Sequence, residues 1–394
     1  MRDVLSLSEE QMSGYIYADN AATTKLDIDA FEAMKPYLLD DFGNASQPYF
    51  FSKKPKMALK QARKTIAECI GAEPEEIFFT SGGSESDNWA IKRFAKFSTD
   101  IRQIITSNIE HHAVLHSAES EKKYSNANVV YMMADNKGLI DAGQLEQILA
   151  RPRDAIATCE STLVSVMLAN NEIGTIQPIQ ELAAVAGEYR AKFHTDAVQA
   201  VGHIPIDVKK LGVSMLSASA HKFNGPKGIG FLYSKGGIPN LIDGGAQEMG
   251  ARAGTENVAA IVGMATALQK NCSEMEANTK KILNLENMLI NRLNASGLDF
   301  IRNGVNQLPG NISLSFAGLE GEMLLHRLDL KKICISTGSA CDSVNTQVSH
   351  VIKAIGVPEK YARGTIRISL GKDNTVEEVE KIGDTLINII KSTL

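Results

Sequence analysis

From about Asp27 to Leu268, short runs of apolar residues alternate with longer segments in which apolar side chains recur with helical period. The short runs are rich in Val, Ile, Phe and Leu and end in polar residues or glycine, so they predict strands at 76–80, 103–107, 129–132, 163–168, 193–196, 213–217 and 230–233. The periodic segments predict helices at 84–97, 112–123, 141–150 and 178–190. Near-continuous apolar strands alternating with helices are the mark of a mostly parallel sheet covered on both faces, an α/β arrangement. After Gly254 the texture changes. A long helical stretch over about 256–293 leads to strands at 311–316 and 365–370 and helices at 320–328, 346–355 and 375–392, the pattern of a smaller α+β unit.

At 394 residues the chain exceeds the length at which one hydrophobic core stops growing, so two domains are expected. The change of texture divides them into a large domain, 26–269, and a small one made of 1–25 and 270–394. A pocket between them is the expected site. With 44% hydrophobic and 22% charged residues the composition is that of a soluble globular protein. A net charge of -5 supplies no broad basic field, which argues against general nucleic-acid binding. No apolar run approaches the roughly 20 residues of a membrane span. The first residues, Met1-Arg-Asp-Val-Leu-Ser-Leu-Ser-Glu-Glu10, lack the apolar core of a signal peptide, so a cytoplasmic location is expected. Cys69, Cys159, Cys272, Cys334 and Cys341 are scattered and contain no CxxC pair, so neither a disulfide framework nor a zinc knuckle is indicated, and no metal is expected.

In parallel α/β sheets ligands bind beyond the carboxyl ends of the strands. Thr80-Ser-Gly-Gly-Ser-Glu-Ser-Asp-Asn88 follows a strand and opens a helix; small residues and a helix N-terminus favour an anion, although Ser84 also serves as an ordinary helix cap. Asp196 ends the strand of His194-Thr-Asp-Ala-Val-Gln199, and Lys222 lies in Ser217-Ala-Ser-Ala-His-Lys222, ahead of Gly225-Pro-Lys-Gly-Ile-Gly230. A lysine among phosphate-capable donors, beyond a strand that ends in an aspartate, is what a Schiff-base cofactor requires, because the aspartate keeps a pyridine nitrogen protonated. Cys341, in Ile335-Ser-Thr-Gly-Ser-Ala-Cys-Asp-Ser343, sits in a run too polar for a core; an ordinary thiol, pKa ~8.5, needs a nearby cation or base to act as a nucleophile. Cys334, between Ile333 and Ile335, reads as structural.

Together these motifs resemble the cysteine desulfurases of the NifS and IscS kind, within the class-V aminotransferase-like pyridoxal-phosphate enzymes. The likeness runs from Tyr17-Ala-Asp-Asn-Ala-Ala-Thr-Thr24 through Glu110-His-His-Ala-Val114, Ala169-Asn-Asn-Glu-Ile-Gly174 and Arg252-Ala-Gly-Thr255 to Ile366-Arg-Ile-Ser-Leu-Gly371. It implies a pyridoxal-phosphate-dependent transferase fold, aspartate aminotransferase-like, with a mostly parallel seven-stranded sheet in the large domain. It implies pyridoxal 5'-phosphate on Lys222 as a Schiff base, Asp196 at the pyridine nitrogen, Gln199 at the ring hydroxyl, and His111 stacked on the ring as an acid/base group. Gly83, Ser84, Ser219 and His221 would hold the phosphate, joined by Thr255 of the neighbouring subunit, which makes the protein a homodimer. Asn44, Asn171 and Arg367 would orient the substrate, with Asn171 also at the cofactor. The implied reaction takes sulfur from L-cysteine, releases L-alanine and leaves a Cys341 persulfide for a sulfur-acceptor protein, in iron-sulfur cluster assembly or thio-compound synthesis. A selenocysteine lyase or C–S lyase would use the same fold and cofactor, and a non-catalytic scaffold would have no use for Lys222, Asp196, Gln199, His111 and Cys341 together. The stretch Ala45-Ser-Gln-Pro-Tyr-Phe50 departs from the family's usual Pro-Ser-Ser and histidine, and the segment after Gly371 is shorter than the tail with which housekeeping members engage an iron-sulfur scaffold, which suggests a dedicated pathway.

Overall fold

The apolar runs assemble as the alternation requires. The computed structural model describes residues 14–94, 103–151, 161–338 and 348–393. Its main sheet is built from β1 (Ile77–Thr80), β2 (Gln103–Ser107), β3 (Asn128–Met132), β4 (Thr162–Ser165), β5 (Lys192–Asp196), β6 (Met215–Ser219) and β7 (Gly230–Ser234), in the spatial order β1-β7-β6-β5-β4-β2-β3. The pairs β3/β2, β2/β4, β4/β5 and β5/β6 are parallel, while β7 runs antiparallel to both β6 and β1. Every residue of β1, β2, β4, β6 and β7 is buried, as expected of strands covered on both faces, whereas β3 lies at an edge and is more open.

The strand starts follow the sequence pattern closely, and the differences have local causes. The run after Leu163 loses its β2 side beyond Ser165, where the Met167 N–H turns to both oxygens of the Glu110 side chain, 3.1 and 3.0 Å away, while the Val166 and Leu168 N–H groups still donate to His194 O and Asp196 O of β5. β6 reaches Ser219, beyond the predicted end, because it keeps pairing with β7 as far as Ser219 opposite Gly230. Two helices that the sequence pattern leaves unassigned precede the sheet, Ile28–Leu39 and Lys53–Ile70. The first buries only Ala30 within this chain and leaves its apolar residues Ile28, Phe31, Leu38 and Leu39 exposed.

A second, antiparallel sheet places Ser336–Thr337 beside Thr365–Ser369, then Asn311–Phe316, then Phe300–Asn303. Its core joins Ile312, Leu314 and Ile366 to Leu285 and Leu289 of the long helix Val258–Ala295 and to Ile382 and Leu386 of helix Val376–Lys391. The opposite end of that long helix packs Ala260, Ile261, Met264 and Leu268 into the core of the main sheet. One rigid helix therefore holds the two cores in register. A two-residue strand, Ile16–Tyr17, pairs in parallel with Ile333–Cys334 and leads the following residues, Ala18 to Ala22, between the two sheets. Among the described residues no helix is long and apolar enough to cross a membrane.

Candidate active site

Several strand ends converge on one cavity of about 490 Å³. β1 ends at Thr80 and passes through Ser81 and Gly82 into helix Gly83–Phe94. The turn is tight: a Cβ on Gly83 would lie 2.6 Å from Val198 Cγ2, and Gly82 has φ +149° and sits close to Ser219 Oγ. Backbone can thus approach a ligand here closely, at a helix N-terminus whose free amides favour an anion. Ser219, at the end of β6, and His221, in the turn after it, line the same side. Burial, then the charges of Lys222 and Lys227, push His221 down to about 4, so it is neutral at pH 7 and its ring lies 3.2 Å from Thr23 Oγ1.

The other end of the cavity is acidic and buried. Asp196 closes β5, is 5% exposed, and accepts a 2.9 Å hydrogen bond from the Val198 N–H. Asp87, one turn into helix Gly83–Phe94, is 1% exposed, and its Oδ1 has no hydrogen-bond partner among the described residues. Asp87, His111 and Asp196 each bring a ligand-type atom within 4.8 Å of the others. Burial raises both carboxyl groups. His111 and Lys222 oppose the rise at Asp196, while the Asp196 charge adds to it at Asp87, so Asp196 gives up its proton more readily than Asp87. Beneath them Glu110 is buried and pushed up to about 8, with Ser107 and Met167 bonds offsetting part of the burial.

His111 caps helix His112–Tyr124: its Nδ1 accepts from the Ala113 N–H at 3.1 Å. Burial, partly countered by Asp196, lowers its pKa, so the imidazole is neutral with its hydrogen on Nε2. Lys222 closes the turn Ala220–Lys222, and its Nζ donates to Ala21 O at 2.6 Å and Ala22 O at 2.7 Å. Gln199 Nε2 also donates to Ala21 O, at 3.0 Å. Arg367, 3% exposed on the second sheet, gives Nη1 to Asn171 O at 2.8 Å and Nη2 to Asp19 Oδ1 at 2.9 Å, while its buried Nε has no partner among the described residues.

The donor set matches a flat, anionic ring. An anion-accepting turn at one end, a carboxylate at the other, an imidazole and a primary amine between them fit a phosphate-bearing pyridine with a carbonyl carbon. The orphaned Arg367 Nε adds a cation for a second, carboxylate-bearing ligand.

Of the residues expected from sequence, Gly83, Ser84, His111, Asn171, Asp196, Gln199, Ser219, His221, Lys222 and Arg367 line this cavity. Thr255 does not; it is exposed and lies outside the lining of the cavity of its own chain. Asn44 also lies outside, with its side chain engaged in a turn through the Ser46 N–H, 2.9 Å. Cys341 falls outside the described residues. Sequence reasoning missed Asp87, Glu110 and Asp19 as parts of the site. Asp87 was legible only as one of several polar residues in the first turn of a helix, and the burial of Glu110 was not legible.

The profile of the family described as aminotransferase class-V matches residues 16–382. A protein named cysteine desulfurase IscS from Dictyoglomus turgidum is 46% identical over 385 residues, covering 96% of this chain and 95% of its own. Among solved structures, one of a NifS-like protein is 36% identical with a TM-score of 0.88, over 97% of this chain and 100% of the other. Another, of SspA in complex with cysteine, is 36% identical with a TM-score of 0.78, over 91% of this chain and 99% of the other.

Proposed function

The chain belongs to the aminotransferase class-V family, and we propose that it is a pyridoxal-phosphate-dependent cysteine desulfurase that moves the sulfur of L-cysteine to Cys341. The observation that carries this reading is the meeting of Lys222, Asp196 and a neutral His111 in one cavity with an Arg367 Nε that has no partner among the described residues. The likeness to the IscS relative and to SspA, whose structure was solved with cysteine, supports the choice of substrate.

Gly83, Ser84, Ser219 and His221 would hold the cofactor's phosphate, joined by Thr255 of the neighbouring subunit. Asp196 would pair with the pyridine nitrogen, Gln199 with the ring hydroxyl and His111 with the ring face, and Asn171 would lie beside it. When bound, pyridoxal phosphate supplies a protonated ring that withdraws electrons from the substrate's α-carbon. Lys222 would hold that group through Nζ, and the same amine is placed to accept and return the substrate's α-proton. Arg367 grips the substrate carboxylate through its fork, orienting the thiol away from the acidic end. Asn44 assists from the exposed segment around it. Asp87 and Glu110, both buried and both pushed up by that burial, would lie behind Asp196 at the ring's nitrogen end. The Cys341 thiolate attacks the substrate sulfur: the C–S bond breaks and an S–S bond forms. L-Cysteine and the Cys341 thiol become L-alanine and the Cys341 persulfide, which passes to an acceptor thiol or scaffold.

A homodimer follows from the same reading. Phe50 is 86% exposed, Leu39 69% and Phe42 68%, and Ile28, Leu38 and Met57 extend this apolar surface along 28–57, more than a monomer exposes without use. A second copy covers it and brings each Thr255 to the other subunit's cavity. The protein loaded with pyridoxal phosphate should form alanine and a trappable persulfide from L-cysteine, and Cys341→Ala should remove both. Normal alanine release by Cys341→Ala would point to a C–S or selenocysteine lyase instead.

A further inference from the structure

The motif Arg252-Ala-Gly-Thr255 has an exposed Thr255, and its arginine lies outside the cavity that holds the chemistry. Arg252 makes a forked ion pair with Glu85, Nε to Oε1 at 2.9 Å and Nη2 to Oε2 at 3.2 Å. Glu85 is the residue after Ser84, and its Oε2 also accepts the Ser81 N–H at 2.8 Å. One carboxylate therefore ties the phosphate turn of this chain to the arm that carries Thr255. Although burial opposes ionisation, the Arg252 and Ser81 bonds hold Glu85 below the usual carboxylate range.

The arm is gripped at further points along the same helix. Trp89 Nε1 donates to Pro239 O at 2.8 Å, and Arg93 Nη2 donates to Leu241 O at 3.0 Å. Glu85, Trp89 and Arg93 are spaced four apart and share one helical face, so helix Gly83–Phe94 presents its N-terminus to the cavity and a whole flank to the arm. At the arm's turn, Glu248 and Met249 both hold left-handed backbone, φ 48° and 58°, which side chains other than glycine adopt at a cost. A second forked pair keeps that turn in place: Arg63 reaches Glu248 at 2.7 and 2.8 Å, and the Glu248 Oε2 accepts the Phe79 N–H of β1 at 2.8 Å. Both ion pairs are largely buried.

We propose that Glu85 and Arg252 are positioning residues that brace the Thr255 arm of one subunit against its own phosphate turn, so that the two cofactor sites of the dimer are coupled. This rests on the reading that Thr255 completes the partner subunit's site. Filling one phosphate turn orders Ser81, Glu85, Arg252 and the arm in sequence, and thereby prepares the opposite site.

The test uses heterodimers of differently tagged full-length subunits. Lys222→Ala in one subunit silences its chromophore, so absorbance on adding pyridoxal phosphate reports only the intact Lys222 site. Arg252→Gln placed on the silent subunit should weaken binding at the intact site of its partner about tenfold, the loss expected for a displaced charge-assisted contact, with Arg252→Lys restoring part of it. Thr255→Ala on the silent subunit should act equally. If Thr255→Ala weakens the partner's site and Arg252→Gln leaves it within twofold, the bracing proposal is overturned. If neither acts across the dimer, the shared-site reading beneath it fails. Should Arg252→Gln prevent assembly, Glu85→Gln on the silent subunit, which keeps the side chain's size, makes the same measurement under the same criteria.

Discussion

Arg367 offers a quantitative test of how substrate is held. In Arg367→Met the chain length is kept but the guanidinium goes, along with the 2.8 Å bond to Asn171 O, the 2.9 Å pair with Asp19 and the unpartnered Nε that awaits a carboxylate. Asp19 keeps partial solvent access, its side chain 18% exposed, so its release into water offsets part of the loss within the protein. What remains is a substrate carboxylate with no forked donor in the cavity, a cost of about 2–3 kcal/mol for a charged hydrogen bond. That corresponds to a fall in kcat/KM of roughly 30- to 150-fold. The grip exists before and during reaction, so the loss should appear mainly in KM. The assay is initial alanine release against cysteine concentration, with cofactor loading checked by absorbance. Cysteamine, which is cysteine without the carboxylate, supplies the second leg of the cycle: the native protein should disfavour its binding by a similar factor, and the variant should scarcely discriminate. A fully loaded Arg367→Met protein with kcat/KM within threefold of native would refute the assignment.

Stability should depend on pH in two opposite ways. Burial pushes His194, held between Ser165 and Ser217, down to about 3, so the folded state rejects a proton that the unfolded chain accepts; its contribution is complete above about pH 6.5 and is lost as pH falls toward 3. The urea midpoint should drop across that range, and His194→Gln should flatten the drop. Glu110, pushed up to about 8, is the reverse: its contribution is complete below about pH 4.5 and lost as pH rises through 8, and Glu110→Gln should flatten the alkaline limb. Gly230→Ala would put a Cβ 2.4 Å from Ala218 O and 2.8 Å from Gly82 Cα, backbone atoms that cannot rotate away, so a loss of about 3 kcal/mol or more is expected in denaturation. Gly187→Ala, with nothing within 4 Å in the helix Ile179–Glu188, should instead stabilise by about 0.5 kcal/mol. Asp196→Asn should still bind cofactor while alanine formation falls about a hundredfold, because the preorganised charge behind the ring is gone.

Much of the site is legible in the chain itself. Asp196 and Lys222 stand at and just past the ends of β5 and β6 because a buried strand must end in polar residues, and that boundary is written in the alternation of runs. The Gly83-Ser84 turn is readable for the same reason, as small residues between a strand and a helix. Short elements are not. Ile16–Tyr17 and Ser336–Thr337 are two residues each, and their pairing partners, Ile333–Cys334 and Thr365–Ser369, are too distant in sequence for any local pattern to announce them. Asp87 is readable only as part of a polar first turn, since nothing in Ser84-Glu-Ser-Asp-Asn88 distinguishes the half-buried Glu85 or Asn88 from the carboxyl that ends up beside Asp196.

By itself, then, the sequence determined the layered α/β architecture, the order of its strands along the chain and the chemical identity of the groups at their ends, because periodicity and strand termini are local properties. Only the tertiary structure decided which acid holds its proton more tightly, that Arg367 crosses from the second sheet to Asp19 and Asn171, and that Thr255 is exposed outside the cavity of its own chain. Those are matters of burial and of meetings between distant segments, and a desolvated charge takes its energy from everything that surrounds it rather than from its neighbours in the chain.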